Sequence, residues 1–139
     1  MSGRSLLYVE DKSGELHRGD AWIVLARTSR SGRTVYFGPR ALHRVSGGAG
    51  RGNHVCAESG AVFWVSGPKR EGGDRHTHGT GPILVERRAL SAYLEHRGLG
   101  ADELDPAQYR VVDDLPEPSI DAHHARANAP LDSYDGDPR

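Results

Sequence analysis

The chain has 139 residues and a mass of 15.1 kDa, a common size for one domain, so one core with attached irregular segments is expected rather than two folding units. Apolar residues make up 36% and aromatics 6%, with a mean hydropathy of -0.62. No run approaches the roughly 20 apolar residues of a membrane span, while the Val/Leu/Ile periodicity is too regular for a wholly disordered chain.

The formal net charge of -1 divides unevenly: residues 1–100 carry 15 Lys+Arg against 9 Asp+Glu, a formal +6, and residues 101–139 carry 3 against 10, a formal -7. A basic body with an acidic tail is suggested, and such a tail can solvate the protein, fold back on the basic face, or repel a polyanion. The arginine count itself is weak evidence, because 16 of the 18 basic residues are Arg in a chain rich in Gly and Ala. That is the mark of compositional bias. The single cysteine, Cys56, excludes an internal disulfide and a multi-thiolate zinc site. With no apolar leader behind Met1-Ser2-Gly3-Arg4, the expected compartment is the cytoplasm.

In chain order, Leu6-Leu7-Tyr8-Val9 reads as a strand ended by the turn residues Asp11-Lys12-Ser13-Gly14. Ala21–Ala26 and Thr34–Phe37 are β-branched and aromatic runs around Ser29-Arg30-Ser31-Gly32, the pattern of a β-hairpin. Gly38-Pro39 breaks the chain before a short strand, Ala41–Val45. The stretch Ser46–Asn53 reads as a loop too glycine-rich for regular structure. A second hairpin joins His54–Ala57 to Ala61–Val65 around Glu58-Ser59-Gly60. Alternation puts Val62 and Trp64 on one face and Ala61, Phe63 and Val65 on the other, so this strand needs cover on both sides. After a strand at Ile83–Val85, the spacing of Leu90, Tyr93 and Leu94 predicts a helix over 87–97, closed by Gly98 in the left-handed conformation with Leu99 folding back. Asp105-Pro106 resembles a cap and first-turn proline, which predicts one helical turn before Tyr109–Val112. From Asp113 onward periodicity is lost, and an acidic disordered tail over 113–139 is expected.

The run Phe63-Trp64-Val65-Ser66-Gly67-Pro68-Lys69-Arg70, with Gly52-Asn53 before it and Gly73-Asp74-Arg75-His76 after it, resembles a motif of short uncharacterised bacterial proteins. Some of these carry the label 1-deoxy-D-xylulose-5-phosphate synthase. The resemblance spans roughly Trp22 to Tyr93 and implies no catalytic residue. The synthase chemistry does not fit this chain: thiamine-diphosphate enzymes of that type are several-fold longer, and Gly19-Asp20-Ala21 with a distant Asn53 departs from the Gly-Asp-Gly start of a diphosphate motif.

Three constellations carry chemical alternatives. In the Gly-rich stretch, Gly48-Ala49-Gly50-Arg51-Gly52-Asn53 fails the dinucleotide fingerprint at its sixth position, which leaves an inter-strand connection or a backbone anion site helped by Arg51. The second is Lys69-Arg70-Glu71-Gly72-Gly73-Asp74-Arg75-His76-Thr77-His78. Here His76 and His78 could hold a metal with His54, Cys56 or Asp74. His76 could equally be a general base oriented by Asp74, with Lys69 or Arg75 on an oxyanion. A solvated polar loop is the third reading. Cys56 could be a nucleophile with His54, although buried filler is the commoner role of a free cysteine.

The third constellation is the aromatic one. Trp22/Ile23, Tyr36/Phe37 and Phe63/Trp64 each send bulky residues to both faces. A surface ring such as Tyr36 or Trp64 beside Arg33, Arg40 or Lys69 would stack bases while binding phosphates, with Arg51, Arg70 and Arg75 as further ligand-binding candidates. The expected fold is therefore mainly β, with five to seven short antiparallel strands in a curved sheet or SH3/OB-like barrel, one helix, and a domain spanning 1–112. The expected function is a small non-enzymatic binding module for nucleic acid. A metal-dependent or acid/base hydrolase at Asp74/His76/His78, or a protein-interaction module, is the alternative. No cofactor or membrane partner is called for, and the sequence does not fix an oligomeric state.

Overall fold

The computed structural model describes residues 4–12, 20–49, 52–75 and 81–117. The strands are β1 (Ser5–Asp11), β2 (Ala21–Thr28), β3 (Thr34–Phe37), β4 (Arg40–Ala49), β5 (Gly52–Cys56), β6 (Val62–Ser66), β7 (Ile83–Glu86) and β8 (Tyr109–Val112), with one α-helix, α1 (Leu90–Arg97). Strands β1 to β6 form an up-and-down antiparallel meander, and β1 pairs with both β2 and β6. The sheet thereby closes into a six-stranded barrel, which removes the open edges a flat meander would leave.

Closure explains why these strands are apolar on both faces. Inward alternation collects Val9, Val24, Ala26, Val35, Phe37, Leu42, Cys56, Phe63 and Val65 into one buried cluster. The opposite parity of the same strands, Tyr8, Ala21 and Ile23, forms a second cluster with Ile83, Val85, Ala89, Tyr93 and Tyr109. That outer layer is built by β7, α1 and β8. Burying Ile23 or Leu42 contributes roughly 1.5–3 kcal/mol each, and both are fully buried.

Beyond the barrel the strands are parallel: β7 runs parallel to β2, and β8 parallel to β7. Two adjacent parallel strands need a crossover, and α1 supplies it. The barrel strands are antiparallel, as the sequence predicts, and the two parallel ones are an addition to it. The edge of β2 is shared, with Ala21–Ile23 pairing with β7 and Arg27–Thr28 with β3. In the gap between, the buried carboxylate of Glu86 accepts the Leu25 amide (3.1 Å).

Other departures have local causes. The stretch 46–53, expected as a loop, is mostly hairpin: β4 runs to Ala49 and β5 starts at Gly52, with a register shift between Arg44 and Ala49. Ladder pairing uses only backbone groups, so glycine weakens a strand without forbidding it. The helix predicted from residue 87 begins with a 3-10 turn at Arg87–Ala89, because β7 leads into it with no side-chain cap. Its other end follows the prediction: Gly98 has φ 68°, and the Leu99 amide bonds the Leu94 carbonyl (3.0 Å). Asp105 closes a single turn, accepting the Ala107 amide on Oδ1 and the Gln108 and Tyr109 amides on its carbonyl. The 3-10 turn falls earlier, at Ala101–Glu103.

Residues 113–117, which composition assigns to the tail, are part of the domain. Leu115 lies against the barrel core, and its amide bonds Glu86 Oε2 (3.0 Å). Asp114 accepts the Arg88 amide (2.7 Å). Glu117 makes a two-pronged pair with Arg4 (2.8 and 2.9 Å), and that bonded guanidinium holds its carboxyl below the ordinary range. Residues 118–139 lie outside the described residues.

Candidate functional site

The polar region singled out by the sequence is the loop after β6. It crosses the outer face of β1 and meets the C-terminal end of α1. Alternation along β1 turns Tyr8 and Glu10 away from the barrel interior, and Glu10 stands opposite Trp64 across the β1–β6 ladder. The Tyr8 hydroxyl donates to Glu10 Oε1. Lys12 Nζ lies 3.0 Å and Arg75 3.3 Å from Glu10 Oε2. The Glu10 and Lys12 side chains are each 1% exposed, so a carboxylate and an ammonium are held out of water together. Burial pushes the Tyr8 phenol well above its ordinary pKa, with the bond to Glu10 adding to the shift. It therefore remains a donor at any ordinary pH.

Beside this cluster the loop is clamped by Asp74, whose Oδ1 accepts the Lys69 amide (2.7 Å). The turn between them needs left-handed backbone, supplied by Gly72 (φ 82°) and Gly73 (φ 74°). Gly72 also lies against the Arg97 guanidinium, which a Cβ there would meet at 3.0 Å. Asp74 is 5% exposed, and its Oδ2 has no hydrogen-bond partner among the described residues. Burial raises its pKa, and the bond from the Lys69 amide works against that rise.

The helix contributes two further anchors. His96 Nε2 donates to the Pro68 carbonyl (2.7 Å). Arg97 donates to the hydroxyls of Tyr93 (2.8 Å) and Tyr109 (3.0 Å), its guanidinium carbon 5.5 and 5.7 Å from their ring centroids. Burial also raises the Tyr93 phenol.

The loop therefore gathers Lys69, Asp74 and Arg75, as the sequence suggests, but binds them into the fold. Arg75 is drawn onto Glu10, Lys69 Nζ reaches the Gly73 carbonyl (3.3 Å), and Arg70 is exposed in the same turn. His76, His78 and Arg51 lie outside the described residues. His54 and Cys56 share a face, as expected, but that face is the barrel interior, away from the loop. His54 is 4% and Cys56 1% exposed. His54 Nδ1 donates to Asn53 Oδ1 (2.9 Å); burial first, then Arg44 and His43, lowers its pKa to about 4. It is a neutral core histidine at neutral pH. Among the described residues no three His, Cys, Asp or Glu side chains group as a metal site.

The aromatics also turn inward. Tyr36 is buried against Ala41 and Ala57, and Trp64 is half-buried in the outer layer. The expected stacking platform of Tyr36 and Trp64 is thus not offered as open rings. Glu10, Lys12, Glu86 and Arg97 were missed by sequence reasoning. The parity of Tyr8, Glu10 and Lys12 on one strand edge, and the i, i+4 spacing of Tyr93 and Arg97, were the signals that could have found the first, second and fourth.

No protein-family model, curated protein or solved structure matches the chain. The chain belongs to a structural class: a closed six-stranded barrel with a strand–helix–strand flank. No helix among the described residues is long and apolar enough to cross a membrane.

Proposed function

We propose that this barrel is a non-enzymatic binding module that holds nucleic acid through the phosphate backbone. The observation that carries the reading is where the uncommitted cations sit. In an up-and-down barrel the β2–β3 turn, the end of β4 and the exit of β6 share one end. Arg30 and Arg33 occupy that turn and Arg44 lies in β4, all three exposed. Neither Ser29–Arg33 nor residues 43–45 contain a carboxylate. Arg70, also exposed, follows the β6 exit. Among the described residues the Arg30, Arg33 and Arg44 side chains have no partner and can neutralise phosphates without breaking a contact, whereas Arg75, Arg88 and Arg97 are already engaged. With Tyr36 buried and Trp64 half-buried, affinity comes from backbone charge, with little base stacking. A reducing, cytoplasmic setting suits such a module with one buried thiol.

Three contacts by Arg30, Arg33 and Arg44 predict that log affinity falls with log salt with a slope near about -3 on duplex DNA and about -2 on single strands. Changing all three to Gln should flatten that slope and weaken binding uniformly across sequences. Undetectable binding of both DNA and RNA at low salt, or an unaltered slope in the triple variant, refutes the reading.

A further inference from the structure

The opposite end of the barrel carries a different chemistry. There the end of β1, the start of β2, the β3–β4 turn and the start of β6 surround a cleft of about 130 Å³. Its floor is aromatic: Trp22 and Phe37 meet edge to face (centroids 5.8 Å, 78°), as do Phe37 and Phe63 (5.9 Å, 61°). Asp20 and Arg40 stand at its rim with exposed side chains. Neither side chain bonds to another group among the described residues, nor do they pair with each other. Asp11 and Leu115 also line the cleft, and Asp11 is engaged in an interaction of its own, so Asp20 and Arg40 are the carboxylate and guanidinium left unspent beside the aromatic floor.

We infer that this mouth binds a small zwitterion, a free α-amino acid with an apolar side chain. Such a ligand carries its ammonium and carboxylate on one carbon, on the order of 3 Å apart, and its side chain leaves from that same carbon. Asp20 complements the ammonium, Arg40 the carboxylate, and the Trp22/Phe37/Phe63 floor the hydrocarbon. Size narrows the class. A dry cavity of roughly 150 Å³ accepts benzene, so this cleft admits a branched aliphatic side chain and leaves little room for an indole. A ligand with one charge would leave either Asp20 or Arg40 unmatched, and a purely apolar one would leave both. The site lies away from Arg30, Arg33 and Arg44 and does not depend on the nucleic-acid reading.

The test is titration of the full chain with L-leucine, read by the Trp22 indole N–H in proton–nitrogen correlation spectra. A saturable shift is expected. Glycine, which lacks the hydrocarbon, should bind at least about tenfold more weakly. Arg40→Gln should weaken L-leucine about tenfold yet leave L-leucine amide unchanged, because the amide has no carboxylate to lose. Asp20→Asn should weaken L-leucine similarly and leave 4-methylpentanoate, which has no ammonium, unchanged. Both side chains are exposed and support nothing else, so the variants keep the fold, and the dispersion of the spectra verifies it. The inference is overturned if Trp22 shows no saturable shift up to about 50 mM L-leucine, if either substitution leaves L-leucine affinity intact, or if 4-methylpentanoate binds as tightly as L-leucine.

Discussion

The buried pair Glu10–Lys12 makes the sharpest statement about stability, and Lys12→Met is the perturbation that isolates it. Methionine replaces the lysine stem at similar volume, so packing is kept and the change is electrostatic. Removing one partner of a buried pair typically costs about 3–5 kcal/mol, because the remaining charge is left in a poor solvent. Here Glu10 keeps Arg75 at 3.3 Å and the Tyr8 hydroxyl, which brings the expected cost below that range, to about 2–3 kcal/mol. For a domain of this size, with m near about 1.5 kcal/mol/M, the urea midpoint should fall by roughly 1.5–2 M. Trp22 and Trp64 belong to the two buried layers, so their fluorescence reports the transition. The cycle is completed by Glu10→Gln and the double variant. If the charges act on each other, the double variant is less destabilised than the sum of the singles by about 1–2 kcal/mol. A Lys12→Met midpoint within about 0.5 kcal/mol of the parent, or additive singles, would refute the claim that this ammonium is the counter-ion of a desolvated carboxylate.

Two further outcomes follow from the same coordinates. His54 has its pKa lowered in the fold to about 4, so between that value and its unfolded pKa near about 6.5 the unfolded chain binds more protons. Stability is therefore lost as pH falls across that window, by up to about 3 kcal/mol on an order-of-magnitude basis. In His54→Gln, denaturation midpoints measured from pH 7 to 4.5 should lose most of this slope; an unchanged slope would assign it elsewhere. The strap at 113–117 makes the second outcome. A chain ending after Val112 leaves Glu86 without the Leu115 amide and the core without the Leu115 side chain, and should be destabilised by about 2–4 kcal/mol. A chain ending after Glu117 keeps these contacts and should melt well above the one ending after Val112. Equal melting of all three lengths would show that the strap holds nothing.

The barrel was legible in the sequence for one physical reason: period-two alternation with apolar residues on both parities demands cover inside and out. Phe63 and Trp64, adjacent and both bulky, already imply two layers, and the structure sends one to each. What alternation does not encode is strand direction. Nothing in Ile83–Glu86 says that β7 runs parallel to β2. The strap was hidden for a different reason. Leu115 is one apolar residue among Asp, Pro and Glu, and its anchor Glu86 is 29 residues away in the chain. Composition reads such a stretch as solvated because the partners that bury it are distant. The site suffered likewise: Lys69, Asp74 and Arg75 were found as a local run, whereas Glu10 and Arg97, which decide what that run can do, come from β1 and α1.

That decision has a consequence for where ligands can bind. On the flank where the loop crosses β1, almost every charge is consumed by the fold: Glu10 by Lys12 and Arg75, Arg97 by two phenols, Glu86 by two amides. A ligand competing for these groups would have to break bonds worth more in the buried flank than the same bonds at a wet surface. At the two barrel ends the cost is reversed, since Arg30, Arg33 and Arg44 at one, and Asp20 and Arg40 at the other, break no side-chain bond to any described residue. The clustering of ionisable residues that first draws the eye to residues 69–78 is, within the described part of that loop, a sign of structural commitment, and the plainer ends of the barrel are where binding is cheapest.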